Sequence, residues 1–467
     1  MKTYPLRWPG KSRSQLSILS PNDASTIAHI EQISLTDIDW IARNTLAGQK
    51  KINLVSADER ATWLKNISQK IKSDADILAQ LIATEGGKPL KDARVEVQRA
   101  ALTFELCAEE TLRIHTEHPA SLPKKAFTVR EPIGPVLALS AFNHPLNLLA
   151  HQVGSALAAG CSVVLKPSPG TPLCAEWLKD TLNSVGVPDE VVILCHAQIS
   201  EIEALVARAE FQFVSFIGSA KVGWELRRKI APGTRLALEH GGVAPAVICE
   251  DADLELASTA LCKGAFYHAG QVCISTQKIF VHKSVYLDFS KLFIEKAKRL
   301  VVGDARDEKT DVGPLIRPIE KARLLNWIEE ARTLGAKVLL EDSLDRGPQY
   351  LGPTILAEVS LEAQIWREEA FGPVVCLSAF DDINPIYQAL EECPYHFSAS
   401  IFTKNQDRAL EAAKLLPAMS VVVNDHTAWR VDAMPFGGHR QSGLGMGGVR
   451  WAVEEQTRLK LVSLNGV

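Results

Sequence analysis

The sequence predicts an α/β fold of two parallel-sheet domains with a small β extension, and three observations carry that prediction. From about Pro135, short apolar runs alternate with amphipathic segments, as a parallel sheet covered on both faces requires. The same rhythm restarts after Gly242, which makes a second α/β unit. Two short β-prone pieces with alternating polarity, KKAFTVREP before the first strand and TRLKLVSL near the C-terminus, fit neither sheet.

The elements follow in order. Residues 35–115 read as helices: SADERATWLKNI opens with a Ser56…Glu59 capping box, and Trp63, Leu64, Ile67 and Ile71 recur at helical spacing. PVLALSA, SVVLKP, EVVILC, FQFVSFI and TRLALE read as strands. PLNLLAHQVGSALAA, TPLCAEWLKDTLNSV, EIEALVARA and AKVGWELRRKI read as the helices between them. Past a hinge at Gly241-Gly242, strand-like AVIC and KIFVH alternate with helices through ASTALCKGAF and FSKLFIEKAKRL, and the pattern continues to SVVVND. The boundaries that result are residues 1–115 and 133–241 for the first domain and 242–440 for the second. Residues 116–132 and 455–467 form the extension, whose strands are expected to project and pair with another subunit.

Composition narrows the function. The 467 residues are 46% hydrophobic and 23% charged, an ordinary globular balance able to build sizeable cores. A net charge of -4, with no basic run, argues against nucleic acid as a partner. The start lacks the apolar core of a secretory signal, and no apolar stretch is long enough to span a bilayer, so a cytoplasmic protein without a membrane partner is expected. Nine cysteines, scattered without CxxC spacing, read as reduced thiols, and no metal site is expected.

Two glycine motifs differ in value. Gly443-Leu-Gly-Met-Gly-Gly448 matches G-x-G-x-x-G in letters, but HRQS precedes it and about twenty residues follow, so it reads as a flexible turn. FIGSAKVG (216–223) sits between a strand and a helix. There Gly218 permits a tight turn, Ser219 offers a cap and a hydroxyl, and free helix N–H groups favour an anion.

Seven strings then fall in register: FNHP (142–145), KPS (166–168), FIGSAKVG, EHGG (239–242), GQVC (270–273), EAFGPV (369–374) and PFGG (435–438). In order and spacing they resemble the NAD(P)-dependent aldehyde dehydrogenase superfamily, over the whole chain from about residue 20. The resemblance implies a Rossmann-like cofactor domain, a catalytic domain and an oligomerisation extension, assembled as a homodimer or homotetramer. It implies Cys273 as nucleophile, Asn143 as oxyanion donor with the Cys273 backbone N–H, and Glu239 as the base that hydrolyses the thioester. The chemistry is coherent, because adding a thiol to an aldehyde creates the tetrahedral oxyanion from which hydride can leave. His240 and Val243 depart from the commoner Leu and Lys beside that base.

For the cofactor, NAD or NADP, the resemblance implies Lys166 and Ser168 at the adenosine ribose, Gly218 and Ser219 at the pyrophosphate, and Glu369 and Phe371 at the nicotinamide end. Pro169 stands where NAD-preferring relatives often carry an acid that repels a 2′-phosphate, which leaves NADP open. The substrate is a small aldehyde, as in the bacterial lactaldehyde and phosphonoacetaldehyde dehydrogenase-like branch. His151, Tyr267, Val272, Ile274 and Trp429 are expected to line its tunnel. Val272, where anion-handling relatives can place arginine, argues against a strongly anionic substrate, and Arg430 is either a polar contact or paired with Asp432. The alternatives are transfer of the acyl group to coenzyme A, which relatives perform without the Glu239 equivalent, and a catalytically idle structural or binding relative.

Overall fold

The computed structural model describes residues 2–8, 14–114, 126–342 and 344–464. Its first large sheet contains the five predicted strands, in spatial order Arg235–Glu239, Phe213–Ile217, Val136–Leu139, Val163–Lys166 and Val192–Leu194, all parallel. The chain steps from Val136–Leu139 first to one side and later to the other. The carboxyl ends of Val136–Leu139 and Phe213–Ile217 therefore flank a crevice where such sheets take ligands. Val163, Val164 and Val136 are fully buried, as strands covered on both faces must be.

Four helices, Ile38–Ile52, Ala57–Ser73, Ala75–Gly86 and Leu90–Arg113, occupy the segment predicted to be helical. The Ser56 hydroxyl accepts from the Glu59 N–H at 3.2 Å and so starts the second of them. Leu64, Ile67, Ile82 and Phe104 join the core beneath the helix Asn147–Ala159. The first 31 residues hold strands that the sequence reading did not anticipate. Lys2–Tyr4, Gln15–Leu19 and Thr26–Glu31 make a three-stranded sheet whose strands are too short for a pattern to stand out, although Ile18, Ala28 and Ile30 are buried.

The second sheet runs Lys337–Leu340, Thr354–Ala357, Val374–Phe380, Lys278–His282, Pro245–Ile248, Ser398–Phe402 and Ser420–Val423, parallel except for the first pair. Gly241-Gly242 lies where the chain passes from Arg235–Glu239 of one sheet to Pro245–Ile248 of the other. Residues Ala126–Pro132 and Thr457–Ser463 pair with each other as an antiparallel ribbon, Ala126 opposite Ser463 and Pro132 opposite Thr457. The partner of each expected projecting strand is thus the other within the same chain. Residues 116–125 and 465–467 of the expected extension lie outside the described residues. Among the described residues, no helix is long and apolar enough to cross a membrane.

The rejected Gly443–Gly448 motif has a different task from either phosphate binding or a loose turn. Gly443 and Leu444 pair antiparallel with Glu239 and Leu238 at the edge of the first sheet. A Cβ on Gly447 would lie 2.4 Å from the Glu239 carboxyl oxygen, so the glycines let the backbone close against that side chain.

Phe293 is fully buried in the second core, stacked 6.0 Å from Phe266 and 5.5 Å from Phe289. Phe293→Ala is expected to destabilise that domain by about 3–5 kcal/mol, read as a lowered midpoint in denaturant unfolding.

Candidate active site

Most of the singled-out residues meet in one cavity of about 590 Å³ at the crevice of the first sheet. Asn143, Lys166, Ser168, Pro169, Gly218, Ser219 and Glu239 reach it from that sheet. Tyr267, Val272, Cys273, Ile274, Glu369 and Phe371 reach it from the second domain. Two expected tunnel residues do not line it. Trp429 is 44% exposed, and His151 turns its Nε2 to the Asp432 carboxylate at 3.0 Å.

The segment before Cys273 explains the Gly-Gln pair. His268, Ala269 and Gly270 all take left-handed φ values, 48°, 53° and 67°. A Cβ on Gly270 would sit 2.2 Å from the Gly372 carbonyl oxygen, so only glycine fits there. Gln271 is buried and holds the 314–316 loop in both directions, its Nε2 donating to the Pro314 carbonyl at 3.2 Å and its Oε1 accepting from the Ile316 N–H at 2.9 Å. After the cysteine, the Thr427 hydroxyl donates to the Ile274 carbonyl at 2.7 Å, and Ser275 donates to the Gly264 carbonyl at 3.1 Å. The backbone around Cys273 is therefore fixed on both sides. Cys273 itself is half-buried, whereas seven of the other eight cysteines are buried.

Asn143 belongs to the same arrangement. Its Nδ2 donates to the Gln271 carbonyl at 3.0 Å, which brings an amide of the first domain to the cysteine loop of the second. It is not a helix cap, because the next helix begins at Asn147 and its first N–H groups go elsewhere. Glu239 ends its strand half-buried, with its carboxyl facing the cavity. Burial raises its pKa, and nearby Arg430 opposes the rise.

Burial pushes the Cys273 thiol up to about 12; Arg430 opposes this, and Glu369 and Glu239 reinforce it. The Glu369 carboxyl is likewise raised to about 8 by burial, against a hydrogen bond from the Gly242 backbone, and its Oε1 has no partner. Lys166 is buried without a carboxylate among the described residues, and burial lowers it to about 8. Ser219 occupies the N-cap position of Ala220–Arg227 but makes no capping bond, which leaves its exposed hydroxyl for a ligand. Phe371 adopts φ 46° and packs edge-on against Phe142, with ring centroids 5.8 Å apart. These groups suit a dinucleotide: a lysine for hydroxyl or phosphate oxygens, a serine at a helix start, and an unsatisfied carboxyl for a ribose hydroxyl.

Sequence reasoning left Arg430 between two readings and did not find Arg99. Asp432 does not pair with its neighbour Arg430. It takes Arg99 through two bonds of 2.9 and 2.7 Å, together with His151 and the Asn147 amide. Arg430 lines the cavity with no carboxylate at ion-pair distance among the described residues. Its guanidinium lies 3.4 Å from the centre of the Phe436 ring, its Nε is buried and unpartnered, and burial and Arg99 depress its pKa. No local signal separates the two readings, because Arg99 and Asp432 are 333 residues apart.

Since the thiolate fraction rises tenfold per pH unit below the pKa, alkylation of Cys273 by iodoacetamide in the free protein should be slow at pH 7. It should climb by about tenfold per unit through pH 9 when followed by peptide mapping. A plateau below pH 8 would contradict the raised thiol.

Comparison with known proteins agrees with this architecture. The Aldehyde dehydrogenase family model matches residues 8–462. A 3-sulfolactaldehyde dehydrogenase of Priestia megaterium is 39% identical over 420 residues, 88% of this chain and 87% of that protein. A glyceraldehyde-3-phosphate dehydrogenase of Methanocaldococcus jannaschii, solved with NADP, superposes with a TM-score of 0.93 at 34% identity, covering 97% of this chain and 99% of that one. An aldehyde dehydrogenase of Physcomitrella patens, solved with the reaction product succinate, gives a TM-score of 0.94 at 31% identity, covering 100% of this chain and 99% of that one.

Proposed function

The chain belongs to the aldehyde dehydrogenase family, and on that premise we propose that it oxidises a small anionic aldehyde to its acid through a covalent bond to Cys273. The observation that carries this reading is the meeting of Cys273, Asn143 and Glu239 in one cavity, held by the Asn143–Gln271 bond.

Glu239 takes the Cys273 proton and passes it to solvent, and the sulfur bonds to the carbonyl carbon as the C=O π bond opens onto oxygen. The Asn143 amide and the Cys273 backbone N–H receive the resulting oxyanion, donors whose loss typically costs about 3–4 kcal/mol of barrier. NAD or NADP, when bound, supplies the hydride acceptor; Lys166, Ser168, Ser219 and Glu369 would hold it. Once hydride has left, the carbonyl re-forms as a thioester on Cys273. Glu239, its pKa raised by burial, then takes a proton from water. The hydroxide attacks, the carbon–sulfur bond breaks, and the acid leaves as the departing sulfur takes back the proton held by Glu239, which regenerates the thiol. Pro169 and the carboxylate-free Lys166 support use of NADP. The exposed Leu459 and Leu461 on the Thr457–Ser463 strand support assembly through that ribbon with another copy.

The charge on the substrate rests on Arg430. Val272 offers no cation, but Arg430, from the loop before Phe436, supplies one beside Cys273. Half-buried Arg430 has no ion pair of its own among the described residues, its Nη2 lying 3.2 Å from the His151 ring that stands before Asp432, so an acid group on the ligand would give it a direct partner. The relatives' named substrate and product, sulfolactaldehyde and succinate, each carry an acid group away from the reacting carbon.

Glu239→Gln should release about one equivalent of reduced coenzyme per site and then stall, while Cys273→Ala gives no burst; steady turnover by Glu239→Gln without coenzyme A removes the base assignment. Retained dependence of the native protein on coenzyme A would favour acyl transfer instead. Arg430→Gln should lower kcat/KM for a short carboxylated or sulfonated aldehyde by about 10²-fold, the worth of a charge-assisted contact. It should change a neutral aldehyde of equal length far less. Equal losses for both would deny Arg430 its role in substrate choice.

A further inference from the structure

The two helices that follow the cavity's loops lack caps of their own. Asn147–Ala159 starts after Leu146 and Leu173–Ser184 after Pro172, and neither residue offers a side chain that can accept the first N–H groups. Those donors go instead to buried glutamates from the N-terminal helices. Glu96 Oε1 accepts from the Leu146 N–H at 2.9 Å and the Asn147 N–H at 3.2 Å, while its other oxygen pairs with Lys88. Glu85 accepts from the Leu173 N–H at 2.7 Å and the Cys174 N–H at 3.0 Å. Glu85, Lys88 and Glu96 are at most 1% exposed.

Each glutamate thus closes off one loop of the cavity. The loop 140–146 carries Asn143, and the loop 167–172 carries Ser168. The loops also touch, with the Ser140 N–H donating to the Lys166 carbonyl at 3.0 Å and the Thr171 hydroxyl to the Phe142 carbonyl at 3.4 Å. The turn joining Glu85 to Lys88 is itself pinned from the second domain. Gly87 adopts φ 67°, and a Cβ on Gly313 would lie 2.2 Å from its carbonyl oxygen.

We propose that Glu85 and Glu96 are positioning residues with separate duties: Glu96, balanced by Lys88, fixes the oxyanion donor Asn143, and Glu85 fixes the coenzyme loop at Ser168. The assignment rests on the chemistry proposed above. A carboxylate at a helix start accepts the free N–H groups and is favoured by the helix dipole, so it holds the last loop residues in one backbone conformation. Removing Glu96 alone would strand the Lys88 ammonium in the core, which is why the informative change takes both charges away together.

The experiment compares Lys88→Met/Glu96→Leu with Glu85→Leu in the full chain, together with Lys88→Met/Glu96→Gln and Glu85→Gln. Coenzyme dissociation constants come from fluorescence titration without aldehyde, and hydride transfer from the burst at saturating NADP. Lys88→Met/Glu96→Leu should slow the burst by about tenfold or more and leave coenzyme affinity within about twofold. Glu85→Leu should weaken coenzyme binding by about tenfold with a much smaller effect on the saturated burst. Glutamine keeps one acceptor oxygen, so each glutamine version should recover most of the loss. If both changes move the same quantity, or if the folded glutamine and leucine versions are alike in both measurements, the division of duties is wrong. Should a leucine version fail to fold, its glutamine version still decides: a small loss confined to the assigned quantity supports the proposal, and a loss in the other quantity or in neither overturns it. A native protein that shows no burst with any short aldehyde would instead count against the proposed function, while the coenzyme titration would still test Glu85.

Discussion

The cavity is divided between two sheets, and the hydrogen bond nearest the cysteine that spans the division joins Asn143 to Gln271. Asn143 follows one strand of the first sheet and Glu239 ends another, whereas Cys273 comes from a loop of the second domain. That bond acts beside those that Arg99, Asn147 and His151 make to Asp432, and together they hold the two halves face to face. A shift of about 1 Å between reacting groups is enough to cost two orders of magnitude in rate. The supports cluster accordingly: Gln271 holds the 314–316 loop, and Gln277 holds the Glu369 loop through the Ile365 and Glu368 carbonyls and the Ala370 N–H.

The cavity also has a consistent electrical character. Burial raises the Cys273 thiol and the Glu239 and Glu369 carboxyls, and it lowers His144 and His151. Most of its ionisable groups are thereby driven toward their neutral forms, as low-dielectric surroundings dictate. A thiol held in that form is a poor target for oxidants as well as a poor nucleophile. Reactivity then depends on what enters the cavity and on where the displaced proton goes.

Much of this was legible in the chain. Strands buried on both faces read as continuous apolar runs, and all five of the first sheet stand where those runs lie. GQVC drew attention to Cys273, and the geometry gives the glycine and glutamine physical reasons to be there. What stayed hidden was long-range pairing. Adjacency suggests that Arg430 meets Asp432, but Arg99 takes that carboxylate from a helix hundreds of residues earlier. The start of the helix after Asn143 is capped by Glu96, on an element whose periodicity says only that it is a helix. His151, expected along the aldehyde's path, likewise has a distant partner in Asp432 and does not line the cavity.

The pairing of Gly443 with Glu239 has a bearing on how the polypeptide is made. Domains tend to fold as they leave the ribosome, the N-terminal one first. Here the strand Arg235–Glu239 keeps an open edge until nearly the whole chain has been translated, and an unpaired edge invites association with other nascent chains. Completion of the first domain is thereby tied to later synthesis, so a prematurely terminated product leaves Leu238 and Glu239 as an adhesive border that Gly443 and Leu444 otherwise cover.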